Sequence, residues 1–153
     1  MSNNLEAYNN TQTIDYYSSF DDYGLFSFER KIIEKYFTGK RTIDIGCGTG
    51  RTTYPLYNMG YVVTGVDYSE GMIHKAKNKY PQIKFEVGNC ADMRFRNNTF
   101  DNALFSFNGI TTPSMESRSV PSFIAWVILI FPFTLITPLS YNGCVFLWHD
   151  TSK

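Results

Sequence analysis

The stretch Thr42-Ile43-Asp44-Ile45-Gly46-Cys47-Gly48-Thr49-Gly50-Arg51, with Val62-Val63-Thr64-Gly65-Val66-Asp67 behind it, decides the fold of this chain. A β-branched strand breaks into glycines at alternate positions, a helix follows, and a second strand ends in a carboxylate. That order describes half of a nucleotide-binding α/β sheet. The glycines at 46, 48 and 50 let the backbone turn sharply and let a ligand approach main chain where a Cβ would collide. A helix beginning at Arg51 would aim unpaired N–H groups and the positive end of its dipole at an anionic group. Asp67, about 20 residues beyond the first glycine, stands where an acidic side chain accepts hydrogen bonds from ribose hydroxyls.

Two cofactor classes use this arrangement. A dinucleotide fingerprint, G-x-G-x-x-G, would put its third glycine where this chain has the bulky Arg51. The pattern that stands here, Asp44-x-Gly46-x-Gly48-x-Gly50, resembles motif I of the class I S-adenosylmethionine-dependent methyltransferases. The likeness continues through Val66-Asp67-Tyr68-Ser69, through Phe85 to Met93, and through Asn98 to Gly109, so it covers roughly residues 15–112.

The resemblance implies a Rossmann-like, doubly wound, mostly parallel α/β sheet of strand order 3-2-1-4-5, and it implies roles for matching residues. Asp44 and the glycines, with Cys47 among them, would line the methionine end of S-adenosylmethionine, Asp67 would hold the ribose, and Tyr68 would lie against the adenine. In the family an Asp-Ala pair after the third strand reads the adenine edge; here the pair is Asn89-Cys90, whose amide oxygen can accept the same hydrogen bond. Phe107, at the end of the fourth strand, joins the cofactor set. Tyr17, within Tyr16-Tyr17-Ser18-Ser19-Phe20, falls in a segment similar to one that folds over the cofactor as a lid in many of these enzymes; a disordered tail is the alternative. Residues 1–23 are therefore expected to form the lid or a flexible segment, and 24–153 the cofactor-binding domain.

The remaining elements follow from periodicity. Phe26, Phe28, Ile32, Ile33, Tyr36 and Phe37 recur at helical spacing, predicting a helix over 26–37 that Gly39 closes. Helices are expected over Thr52–Met59 and Ser69–Tyr80, the second capped by Ser69 and stopped by Pro81. Strands are expected over Tyr61–Asp67, Ile83–Val87, Phe100–Phe107 and Cys144–Trp148, and the alternation of strand and helix implies a parallel sheet.

Composition narrows the partners. Among 153 residues, 14 basic side chains balance 14 acidic ones, so no electrostatic footprint for nucleic acid or anionic membrane is present. Ser106-Phe107-Asn108-Gly109 also lacks the Asn/Asp-Pro-Pro-aromatic pattern of amine methylation on bases or glutamine, and a small-molecule acceptor is expected instead. Cys47, Cys90 and Cys144 are too scattered for a metal site and odd in number for a disulfide framework, so no metal and a reducing cytoplasm are expected. The N-terminus has no basic and apolar regions of a signal peptide. His74 reads as solvated; His149, beside Asp150, is a candidate general base, although the sequence assigns no catalytic residue.

After Arg118 the chain changes character, with no charged residue from Ser119 to Trp148 and a continuous apolar run over Phe123–Phe131. Three readings compete for Val120–Leu139. The length nearly allows a membrane span, but Pro121, Pro132 and Pro138 interrupt it and the charged flanks are thin. A segment covered by the sheet or by a second copy of the chain is favoured, which makes a homo-oligomer possible. A disrupted or frame-shifted coding segment is the third reading, and it would go with the lack of the family's last two strands. The functional alternatives are a non-catalytic or truncated binding domain and a nicotinamide-dependent oxidoreductase.

Overall fold

The computed structural model describes residues 8–89, 95 and 99–106, and the backbone of one later strand. Cys90, Phe107, the 120–139 segment and the His149 side chain lie outside the described residues. The elements are α1 (Thr11–Ser18), a 3-10 turn (Asp21–Tyr23), α2 (Ser27–Tyr36), β1 (Arg41–Ile45), α3 (Thr53–Asn58), β2 (Val62–Asp67), α4 (Glu70–Lys79), β3 (Lys84–Val87), β4 (Asn102–Phe105) and β5 (Phe146–His149).

The five strands form one sheet of order β3-β2-β1-β4-β5. β3, β2, β1 and β4 are mutually parallel, with Asp44 opposite Gly65 on one side and Leu104 on the other. β5 runs antiparallel to β4, pairing Phe105 with Phe146. Its position in the order is the expected one. The described strand runs over Phe146–His149, where the sequence led to the expectation Cys144–Trp148.

The β-branched residues Thr42, Ile43, Val63, Thr64 and Val66 are buried, as strands covered on both faces require. Ile33 from α2, Leu56 from α3, and Ile73 and Ala76 from α4 close over Val63, Phe85 and Leu104 to make one core. Helix α4 starts where the sequence says it should, because the Ser69 hydroxyl accepts from the Met72 N–H at 3.2 Å. Helix α2 starts at Ser27 because the Glu29 carboxylate accepts the Phe26 N–H at 2.7 Å.

The expected fourth strand, Phe100–Phe107, is trimmed at its entry by side-chain chemistry. Asp101 turns away from the ladder to accept the backbone N–H groups of Lys40 and Arg41 at 3.1 and 2.9 Å, and it pairs with the Arg41 guanidinium at 2.6 Å. The guanidinium, helped by those N–H donors, holds the carboxyl well below the usual carboxylate range. Among the described residues, no helix is long and apolar enough to cross a membrane.

Candidate functional site

Strand order reverses between β1 and β4, and in open parallel sheets the crevice beyond the carboxyl ends of the strands at that reversal takes the ligand. The chain leaves β1 there as Gly46-Cys47-Gly48-Thr49-Gly50, with φ of 68° at Gly46, 55° at Gly48 and 105° at Gly50. The loop is tied to β2. The N–H groups of Gly46 and Cys47 both donate to the Val66 carbonyl at 2.7 and 3.1 Å. Gly48 is the telling position: its left-handed φ disfavours any side chain, and a Cβ built there would meet nothing within 4 Å. That edge of the loop faces open space.

The two predicted acids flank this loop in different ways. Asp67, half-buried at the tip of β2, accepts the Gly48 N–H on one oxygen at 2.8 Å and the Ser69 N–H on the other at 2.9 Å. Burial raises its carboxyl above the ordinary value, against the opposing pull of these N–H donors. The Tyr68 N–H acts in the same direction, and the carboxylate, with about four acceptor sites, keeps capacity for a further donor. Asp44 is fully buried, and one oxygen accepts the hydroxyls of Thr52 and Thr53, each at 2.6 Å. Its Oδ1 is buried without a hydrogen-bond partner. Burial pushes the carboxyl up to about 6, against the lowering effect of the two hydroxyls and of Arg51.

The other predicted residues are arranged around this pair. Tyr68 follows Asp67 and is 54% exposed. Asn89 follows Gly88, whose N–H donates to the Asp67 carbonyl at 2.9 Å, so the end of β3 is joined to the end of β2. Cys47 is buried in the loop, and burial pushes its thiol well up. Tyr17 is half-buried; burial first, and then the neighbouring Tyr8 ring and the Asp67 carboxylate, push its phenol up to about 12. The segment that carries Tyr17 is docked on α4. Asn9 accepts the Ser69 hydroxyl at 2.7 Å and the Gly71 N–H at 3.1 Å, Asp15 pairs with Lys75 at 2.6 Å, and Ile14 leaves no room for a Cβ at Gly71.

Arg51 departs from the sequence expectation. Helix α3 begins two residues later, at Thr53, and is one short stretch of six residues. The Arg51 side chain is buried behind the loop, where it donates to both oxygens of Glu29 at 2.9 and 2.8 Å and to the Gly24 carbonyl at 2.6 Å. Its guanidinium also lies 4.6 Å from the centre of the Phe26 ring. Sequence reasoning missed Glu29 and Asp21. For Glu29 a signal existed, because it falls on the apolar stripe of α2 between Phe26 and Ile33, where a charge is out of place unless paired. Among the described residues, no cluster of His, Cys, Asp and Glu could hold a metal ion.

The model of the methyltransferase-domain family matches residues 43–123. A demethylmenaquinone methyltransferase of Renibacterium salmoninarum is 35% identical over 69 residues, which cover 45% of this chain and 29% of the relative. A ubiquinone biosynthesis O-methyltransferase of Coxiella burnetii is 41% identical over 66 residues, 41% of this chain and 28% of the relative. The chain thus spans under a third of the length of either relative.

Among solved structures, a TehB-like S-adenosylmethionine-dependent methyltransferase of Corynebacterium glutamicum superposes with a TM-score of 0.60 at 16% identity over 92% of this chain and 100% of that one. The PH0226 protein of Pyrococcus horikoshii superposes with a TM-score of 0.57 at 15% identity over 92% of each chain. These two share the fold. Since the family's match runs from within β1 through the glycine loop, β2, β3 and β4 and covers more than half of the sequence, the chain belongs to the methyltransferase-domain family and has the class I S-adenosylmethionine-dependent fold.

Proposed function

We propose that this chain binds S-adenosylmethionine at the β1–β2 end of the sheet and takes part in transferring its methyl group to a small-molecule acceptor. The observation that carries the reading is the buried, unpartnered Oδ1 of Asp44 beneath a glycine loop whose open edge lies at Gly48. A buried carboxylate oxygen with nothing to accept is costly, and a cationic or N–H donor arriving with a ligand would relieve it. The α-ammonium group of a methionine moiety is such a donor.

In this reading Gly46, Cys47, Gly48 and Gly50 would approach the methionine end through their backbone, and Asp67 would accept the ribose hydroxyls on its remaining lone pairs. Tyr68 and Asn89 would border the adenine, and Cys90 and Phe107 belong to the cofactor set by resemblance alone. Tyr17, on α1 and close enough to Asp67 to feel its charge, would cover the ribose as part of a lid. The cofactor supplies an activated methyl group on a sulfonium, and the protein's share is to orient donor and acceptor in line and to exclude water. No residue of this chain need form a covalent intermediate, and His149 stays a candidate base only. One relative is named a demethylmenaquinone methyltransferase and the other a ubiquinone biosynthesis O-methyltransferase, which supports a small organic acceptor over nucleic acid.

Thermal unfolding tests the reading. S-adenosylhomocysteine at a hundred times its dissociation constant should add about 2.7 kcal/mol of stability, and NADH none. Stabilisation by NADH alone would return the site to dinucleotide chemistry.

A further inference from the structure

Glu29, Arg51 and Ser106 come from three separate parts of the chain and meet behind the glycine loop. Arg51 belongs to the loop, Glu29 to the first turn of α2, and Ser106 directly follows β4. The Arg51 fork spans both Glu29 oxygens at 2.9 and 2.8 Å and reaches the Ser106 hydroxyl at 3.2 Å, while that hydroxyl bonds to Glu29 Oε1. Glu29 is 0% exposed and Arg51 9%. Two residues earlier in the loop, the Thr49 hydroxyl donates to the buried Asp21 carboxylate at 2.7 Å, and Asp21 in turn takes Lys79 at 3.0 Å. Alternate loop side chains are therefore held by acids that precede β1, Gly50 between them packs against the Tyr80 ring, where a Cβ would come within 2.9 Å, and the open edge of the loop lies at Gly48.

We propose that Arg51, Glu29 and Ser106 are positioning residues, a brace that sets where the glycine loop stands relative to the end of β4. The inference rests on the cofactor reading above and deepens it, since the loop is the donor side of the crevice and the β4 end borders its other wall. A planar five-donor fork can hold Glu29, Gly24 and Ser106 together; a lysine ammonium keeps the charge but cannot span them. Loss of the fork frees the loop to shift, and a misplacement of about 1 Å can cost on the order of a hundredfold in a reaction that depends on alignment.

The substitution Arg51→Lys separates positioning from mere stability. It keeps a cation beside Glu29, whereas Arg51→Met leaves that carboxylate buried and unpaired, which is strongly destabilising. Arg51→Lys is expected to melt within a few degrees of the wild type, far above Arg51→Met. Even so, it should bind S-adenosylhomocysteine about tenfold more weakly by calorimetry, and its amides at 46–50 should exchange hydrogen about tenfold faster while those of β2 and α4 stay unchanged. Ser106→Ala, which leaves the ion pair intact, provides a second variant and should show the same local exchange with a smaller loss of affinity. Wild-type affinity together with wild-type loop exchange in both variants would overturn the brace. Exchange that rises uniformly across the sheet would do so as well. If the wild type itself fails to bind S-adenosylhomocysteine, the cofactor reading falls, and the loop exchange rates still decide on the brace.

Discussion

Replacing Asp44 with asparagine should make the folded chain more stable at neutral pH. The carboxyl is completely buried and pushed up to about 6 from an ordinary 3.8, chiefly by burial, with the Thr52 and Thr53 hydroxyls resisting the shift. At about 1.4 kcal/mol for each pH unit, the difference amounts to roughly 3 kcal/mol. The direction follows from which state holds the proton more tightly. Below about pH 4 the carboxyl is protonated both folded and unfolded, and the stabilising contribution is fully present. As pH rises toward 6 the unfolded chain gives up its proton first, and the contribution is lost by the time the folded carboxyl ionises. Asparagine keeps one oxygen for the two threonine hydroxyls and cannot ionise.

Urea unfolding of both proteins at intervals from pH 4 to pH 8 measures this directly. The stability of Asp44→Asn minus that of the wild type should climb by about 3 kcal/mol between pH 4 and pH 7 and then level off. A difference that stays flat across that range would refute the reasoning, and so would a variant that is less stable at pH 7.5. The gain should carry a functional loss, because an amide nitrogen in place of the buried oxygen offers a cationic ligand nothing to pair with; burying charge for a ligand at the expense of stability is the usual trade-off at binding sites.

Three further outcomes are expected. Asp67→Ala should weaken S-adenosylhomocysteine binding by the loss of two charge-assisted bonds of about 1.5–3 kcal/mol each, and calorimetry showing unchanged affinity would move the ribose elsewhere. Gly48→Val puts a β-branched residue at a φ of 55°, which should cost on the order of 1–3 kcal/mol in a melting experiment and also block the loop's open edge, so affinity should fall further than in Asp67→Ala. Asp101→Asn should lose on the order of 2 kcal/mol near neutral pH. Because the Arg41 guanidinium depresses the Asp101 carboxyl, that stability is present above the ordinary carboxylate pKa and disappears as pH falls below it, so the variant and the wild type should converge in acid.

The elements around the loop were legible in the sequence because their causes are local. Alternating glycines, β-branched runs and the Ser69 cap all act within a few residues, and β1, β2 and α4 appear within a residue or two of their expected bounds. What the sequence concealed is the polar pairing over distance. Arg51 finds Glu29 across 22 positions, Thr49 finds Asp21 across 28, and Ser106 reaches Glu29 across 77, and no periodicity records such partnerships. The neighbours of Arg51 suggest the start of a helix facing a ligand, whereas its side chain is committed to Gly24, Glu29 and Ser106. The direction of β5 was hidden for another reason, since a short apolar run reads the same whichever way it enters the sheet.

The burial of Cys47 makes the loop a natural clock for its own opening. A thiol attacks alkylating reagents only as the thiolate, and one held protonated by an apolar enclosure is close to inert. With Cys90 and Cys144 replaced by serine, iodoacetamide would react with Cys47 only during excursions in which the loop leaves the sheet. The labelling rate would then give the frequency of those excursions in the native protein, with no ligand or acceptor needed, and a ligand that closes the loop would register as slower labelling.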